Sequence, residues 1–198
     1  SAIGNSVTRA SGLMSAQYKS MVKRMHHGMA AQSGLMGAVL ASKGFVGTES
    51  VIEHPYGGLA ATILGDAGQA DFTRLTEGLG QEWVLKTIGI KRHACLIMLH
   101  STIDAMVEER AGGLRAAQVE RIRIGVSESV AKRTAWKMQH PGTPLSAQMN
   151  LRFATAVALL DGAAYVEQFD SSSLARPEVW ELMERIDVDH DPAIDELG

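Results

Sequence analysis

The chain has one cysteine, Cys95, among its 198 residues. An internal disulfide is therefore excluded, and a thiolate metal cluster has no ligands to draw on. A reducing cytoplasm is the expected setting. Also missing is any uninterrupted apolar run of about twenty residues, the length a bilayer-spanning helix requires. Charged or polar residues break every stretch, so no membrane partner is expected. No basic segment followed by a continuous apolar one opens the chain as a secretory leader would. Charge of one sign is scarce too: the formal net charge is −3, with acids and bases interspersed. Such a chain has no field to gather nucleic acid or anionic lipid, and no basic face with interleaved aromatics. Internal repeats and low-complexity segments are absent. What is present is a globular composition, 45% apolar and 21% charged, which argues against disorder and suffices for one good-sized core or two small ones.

Both ends read as interior sequence. Ser1 stands in place of an initiator methionine, and Ala10 to Met14 reads as the middle of a helix. Near the other end, Ile186 and Val188 begin an alternating pattern that resembles a strand without a partner. The expectation is an internal piece of a larger enzyme.

Residues 12–45 give a nearly continuous helical reading, interrupted at Lys23-Arg24-Met25-His26-His27-Gly28. From Met29 to Ala41 apolar residues mix with Ala, Gly and Ser, and small residues on several faces predict a central helix wrapped by neighbours. Gly44 is placed to stop it, and a further helix is expected from Val51. Short helices are predicted at Leu59 to Leu64 and Asp71 to Leu79, and a strand at Trp83 to Ile90. An amphipathic helix carrying Ile103, Met106 and Val107 runs to Gly112-Gly113. The clearest strand is Arg121 to Val126, where Ile122, Ile124 and Val126 alternate with polar or small residues. Helices are expected at Ala147 to Leu160 and, entered through Pro177, at Arg176 to Arg185. This order gives an α+β class: the end of an all-helical domain over residues 1–85, followed by a smaller α+β domain over residues 86–198.

Two clusters carry chemistry. Lys23, Arg24, His26 and His27 gather protonatable groups at an expected helix entrance, a place suited to a carboxylate or phosphate. Lys23 and His26 share a face at three-residue spacing. The plain alternative is a solvated basic turn. The second cluster is Lys91, Arg92, His93 and Cys95, with His100 beyond. A lysine in a turn between apolar elements can reach a cleft and neutralise a substrate carboxylate, or the enolate forming beside it. A surface lysine is the competing reading. His93 and His100 have no third donor at metal-ligand spacing, so no metal is expected. Cys95 fits a small buried hydrophobe better than a nucleophile. Gly57-Gly58 and Gly65 to Gly68 form no dinucleotide fingerprint or phosphate loop. Asp187, Asp189 and Asp191 lack the glycine and terminal glutamate of a calcium loop.

At these same clusters the sequence resembles the MmgE/PrpD family. The resemblance runs through Met21 to Gly34, then Lys91-Arg92-His93-Ala94-Cys95 with His100-Ser101-Thr102-Ile103-Asp104-Ala105, and then Ala154 to Gly162. It implies a large helical domain and a smaller α+β lid, with the active site in the cleft between them. It further implies cofactor-independent lyase or isomerase chemistry on small di- or tricarboxylates, of the 2-methylcitrate dehydratase kind, in a homodimer. Lys23 resembles the family lysine at the central helix entrance and Lys91 the lid lysine. His26 occupies a position that is often polar or histidine in the family. The decarboxylase branch carries a histidine where Leu96 stands and a tyrosine where Phe153 stands, so these departures argue against that chemistry. The expected catalytic set is Lys23, Lys91, His26 and His100. Two lysines would hold the carboxylates and the developing charge while a histidine moves the proton. The rival reading is a noncatalytic helical module that dimerises through its small-residue helix.

Overall fold

The computed structural model describes residues 1–9, 12–13 and 22–196. They fall into two compact units, Ser1–Ile88 and Gly89–Gly198. Among the described residues the first unit is built from helices and turns, whereas the second adds a two-stranded parallel sheet, making the chain α+β. Among the described residues no helix is long and apolar enough to cross a membrane.

The first unit contains α1 (Ala2–Val7), α2 (Val22–Ser42) and α3 (Leu59–Leu64). α1 lies against α2 at Gly37, the buried residue of that helix. A Cβ there would sit 2.2 Å from Ser6 Oγ and 2.7 Å from the Ala2 carbonyl, so only glycine permits this approach. Ser6 Oγ donates to the Ala2 and Ser33 carbonyls at 2.9 and 3.2 Å. Gly44 ends α2 with φ +82. The Phe45 amide donates to Leu40 O and the Gly44 amide to Ala41 O, both at 3.0 Å, the paired bonds that close a helix through a left-handed residue.

Several expectations fail in this unit. α2 passes through Lys23 to Gly28 without interruption, since a single glycine costs a helix only about 1 kcal/mol. Nor is α2 wrapped: Met25, Met29, Leu35 and Val39 are exposed. The helix expected from Val51 is a run of turns, as Pro55 supplies no amide hydrogen to extend it. Between Asp71 and Leu79 only Phe72–Leu75 forms a 3-10 turn. The strand expected at Trp83 to Ile90 is a 3-10 turn at Val84–Thr87, with Ile90 98% exposed; among the described residues its apolar side chains have no partner strand to form a ladder. The mid-helix reading of Ala10 to Met14, and the helical reading up to Met21, fall largely outside the described residues.

The second unit is organised by α7 (Leu151–Asp161). Leu151, Phe153, Val157 and Leu159 are fully buried, each worth about 1.5–3 kcal/mol relative to exposure. Around α7 pack α4 (His100–Ala111), α9 (Pro177–Met183) and β2 (Ile186–His190). β2 pairs in parallel with β1 (Ile122–Val126), Ile122 facing Ile186 and Val126 facing His190. The strand at Ile186 therefore has a partner, contrary to the expectation of an unpaired end. α5 (Glu128–Thr134), α6 (Pro144–Ala147), α8 (Ser171–Leu174) and α10 (Pro192–Asp195) complete the unit.

Both ends of α7 are tied. Asn150, fully buried, accepts from the Phe153 amide at 3.1 Å and donates to the Trp136 carbonyl at 2.7 Å. At the far end Arg110 donates to Leu159 O at 2.8 Å, while Asp161 takes both guanidinium nitrogens of Arg176 at 2.8 and 2.9 Å. Replacing Asn150 removes a cap and the donor to the Trp136 carbonyl. Asn150→Ala is expected to lower stability by about 2 kcal/mol, read from urea unfolding; a change below about 0.5 kcal/mol, the size of a neutral surface substitution, would contradict this role.

Candidate active site

Lys91 to Leu96 forms neither helix nor strand, so its backbone groups need partners elsewhere. The core provides them. The Ala94 amide donates to Ala164 O and the Leu96 amide to Gln148 O, both at 3.0 Å. Gln148 Nε2 donates to Ala94 O at 2.8 Å. A 3-10 turn at Ile97–Leu99 then delivers the chain into α4, anchored by the fully buried Leu99 and Ile103. His100 opens α4, and Asp104 lies four residues on, along the same side.

This folding brings Lys91, His93, Cys95, His100 and Asp104 together. Lys91 Nζ donates to the Cys95 carbonyl at 3.4 Å. His93 is 3% exposed, and its Nε2 lies 3.0 Å from Asp104 Oδ1. The same oxygen accepts from Arg92 Nη1 at 3.1 Å. The His93 and His100 rings meet edge to face, with centroids 5.0 Å apart, and Tyr165 approaches His93 with a centroid separation of 6.3 Å. His93 Nδ1 and His100 Nε2 are buried without a hydrogen-bond partner.

The charges follow from this packing. Burial lowers the His100 pKa from the ordinary 6.5, and its electrostatic interactions with His93 and Lys91 push it the same way, against Asp104 and a hydrogen bond with the Cys95 backbone. At neutral pH the imidazole is accordingly uncharged and able to accept a proton. The hydrogen bond from His93 holds the Asp104 carboxyl below its usual range, with Arg92 adding to the effect. Burial pushes the Cys95 thiol up to about 12, opposed by Lys91. Its Sγ lies 3.7 Å from the Leu96 carbonyl; a thiol so placed is a packing residue and no nucleophile at neutral pH.

The other two expected site residues belong to the first unit. Lys23 and His26 stand on one side of α2, both half-buried. The cluster they define is part of a continuing helix. Sequence reasoning passed over His93, weighed only as a metal ligand, and Asp104. The four-residue spacing of His100 and Asp104 was visible; the folding of His93 back onto Asp104 was not.

Residues 1–70 match the MmgE/PrpD N-terminal domain and residues 93–197 the MmgE/PrpD C-terminal domain. The chain belongs to the MmgE/PrpD family. It is 34% identical to cis-aconitate decarboxylase-like protein oryM of Aspergillus oryzae and 32% identical to cis-aconitate decarboxylase of Aspergillus terreus. Each match covers 100% of this chain but 43% of the relative, so the chain spans less than half the length of these proteins. Of the two departures from the decarboxylase branch, Leu96 lies in the strapped segment, while Phe153 is buried in the core beside Phe169, with ring centroids 6.1 Å apart.

Two measurements check the electrostatics. The His100 ring protons, followed by NMR, are expected to titrate below 6.5. Because the folded pKa is depressed, stability due to this group is complete above the unfolded value and is lost as pH falls toward the folded one; a midpoint at or above the ordinary value contradicts the assignment. Cys95 is expected to resist iodoacetamide at pH about 8, where an ordinary exposed thiol reacts, and to react once urea unfolds the chain. Equal rates in both states would show that the thiol is accessible.

Proposed function

We propose that the whole protein is a lyase acting on a small di- or tricarboxylate, beginning with removal of a proton from the carbon beside a carboxylate. The observation that carries this reading is the buried, unpartnered Nε2 of His100, whose pKa burial and the nearby Lys91 ammonium both lower. His100 takes the proton. The electron pair left on carbon spreads into the adjacent carboxylate, where Lys91 offsets the growing charge. The carbon–oxygen bond then breaks, a carbon–carbon double bond forms, and the hydroxyl departs as water after gaining a proton. Lys23 and His26 are proposed for the same reaction on the strength of the family resemblance, Lys23 to hold a carboxylate and His26 to supply the departing hydroxyl with its proton.

A second reading, decarboxylation, is favoured by the names of the Aspergillus relatives. There a carbon–carbon bond breaks, carbon dioxide leaves, and the electron pair on carbon is quenched by a proton. That step needs a proton donor beside the carbon, and here Leu96 occupies the position of the branch's histidine. Carbon-13 NMR of the whole protein with a hydroxy-tricarboxylate of the 2-methylcitrate kind, and separately with cis-aconitate, distinguishes the two. Loss of water from the first is expected; release of carbon dioxide from the second would establish decarboxylation instead. Lys91→Ala is expected to lower kcat/KM about 100-fold or more, the usual cost of removing a group that stabilises developing charge. Unchanged turnover would remove Lys91 from the site.

A further inference from the structure

His93 and Asp104 form a cluster that the proposed chemistry leaves unused. Asp104 sits one helical turn after His100 and accepts from both Arg92 and His93 through one oxygen. An ionised carboxylate has no hydrogen to give, so the hydrogen of this contact is on His93 Nε2. The ring is thereby fixed in orientation, and its other nitrogen, Nδ1, is left in the interior with no partner. His100 stands edge-on to that ring at an interplanar angle of 74°, and its own Nε2 is buried and unpartnered.

A packing role does not account for this arrangement. Phenylalanine would fill similar space at position 93 without an orphaned nitrogen, and buried polar atoms left unpaired are both rare and destabilising. Two such atoms on adjoining rings, beside a lysine, mark a place where polar groups are retained for what they do to their neighbours. Arg92 and His93 are also consecutive residues of the strapped segment, so one carboxylate on α4 grips that segment between Lys91 and Cys95.

We propose that Asp104 and His93 are positioning residues: the Asp104 carboxylate clamps the Lys91–Cys95 segment, and the clamped His93 ring sets the plane of the His100 imidazole. This inference rests on the lyase reading, in which Lys91 and His100 touch the substrate. Neither His93 nor Asp104 is assigned a bond-making step.

The test uses His93→Phe, Asp104→Asn and Asp104→Ala in the whole protein, beside Lys91→Ala. His93→Phe keeps the ring volume and is expected to lower kcat about 10–100-fold, with KM within about threefold, as misplacement of a reacting group does. Asp104→Asn keeps an oxygen for His93 Nε2 and should retain more activity than Asp104→Ala, a rescue that loss of charge alone does not give. Long-range proton–nitrogen NMR reads the ring states directly. In the unsubstituted protein the His93 hydrogen is expected on Nε2; in Asp104→Ala that preference should be lost and the His100 ring signals should move. Unmoved His100 signals in both His93→Phe and Asp104→Ala overturn the proposal. Full turnover by His93→Phe, with Lys91→Ala inactive, overturns the positioning pair alone. Full turnover by Lys91→Ala overturns the lyase assignment and the pair with it.

Discussion

A segment that is neither helix nor strand can be buried only if its backbone hydrogen bonds are supplied from outside, and the inner part of Lys91 to Leu96, from His93 on, lives under that constraint. Gln148 and Ala164 supply them, and both flank α7, the most deeply buried helix of the second unit. The candidate site therefore inherits its geometry from the core. Leu151, Phe153, Val157 and Leu159 hold α7 in place, α7 fixes the residues on either side of it, and those residues fix the course of the loop. Leu99 and Ile103 tie the following helix to the same core, so His100 and Asp104 are presented from a rigid element.

Electrostatics then acts on a small, fixed set of groups. Lys91 and Arg92 are exposed and His93 is buried, so the basic residues of one short stretch differ widely in solvation. The exposed Arg92–Asp104 ion pair contributes little stability by itself. The His93–Asp104 hydrogen bond differs in kind, since one of its partners has no access to water that could replace it. Burial of His100 disfavours its charged form in the same way, which favours the neutral imidazole. Cys95, in the same stretch, loses its reactivity for the corresponding reason.

Much of the second unit was legible in the sequence because its elements repeat a hydrophobic period. β1 shows strict alternation, α7 is apolar throughout, and Pro177 opens α9. Lys91 and His100 stood out in the sequence as protonatable residues of one short stretch, and the family resemblance gave Lys91 its proposed role. The pairing of Ile186 to Ile122 was not, since nothing local specifies which strand a short parallel strand will join. Trp83 to Ile90 misled for the opposite reason: its apolar residues satisfy a strand pattern but face solvent. In the first unit the small residues of α2 predicted close approach correctly at Gly37 and wrongly elsewhere, because composition says that a neighbour can come near, and only tertiary structure decides whether one does. His93 and Asp104 were illegible as a pair, because the path of the loop between them is set by hydrogen bonds to residues on either side of α7.

The central claim is that the reaction starts by breaking a carbon–hydrogen bond next to a carboxylate. It is tested most directly by comparing turnover of a hydroxy-tricarboxylate with that of the same compound carrying deuterium at that carbon. The account predicts slower turnover of the deuterated compound, and exchange of the ordinary compound's hydrogen with solvent deuterium. Equal rates, with no exchange during turnover, would contradict it.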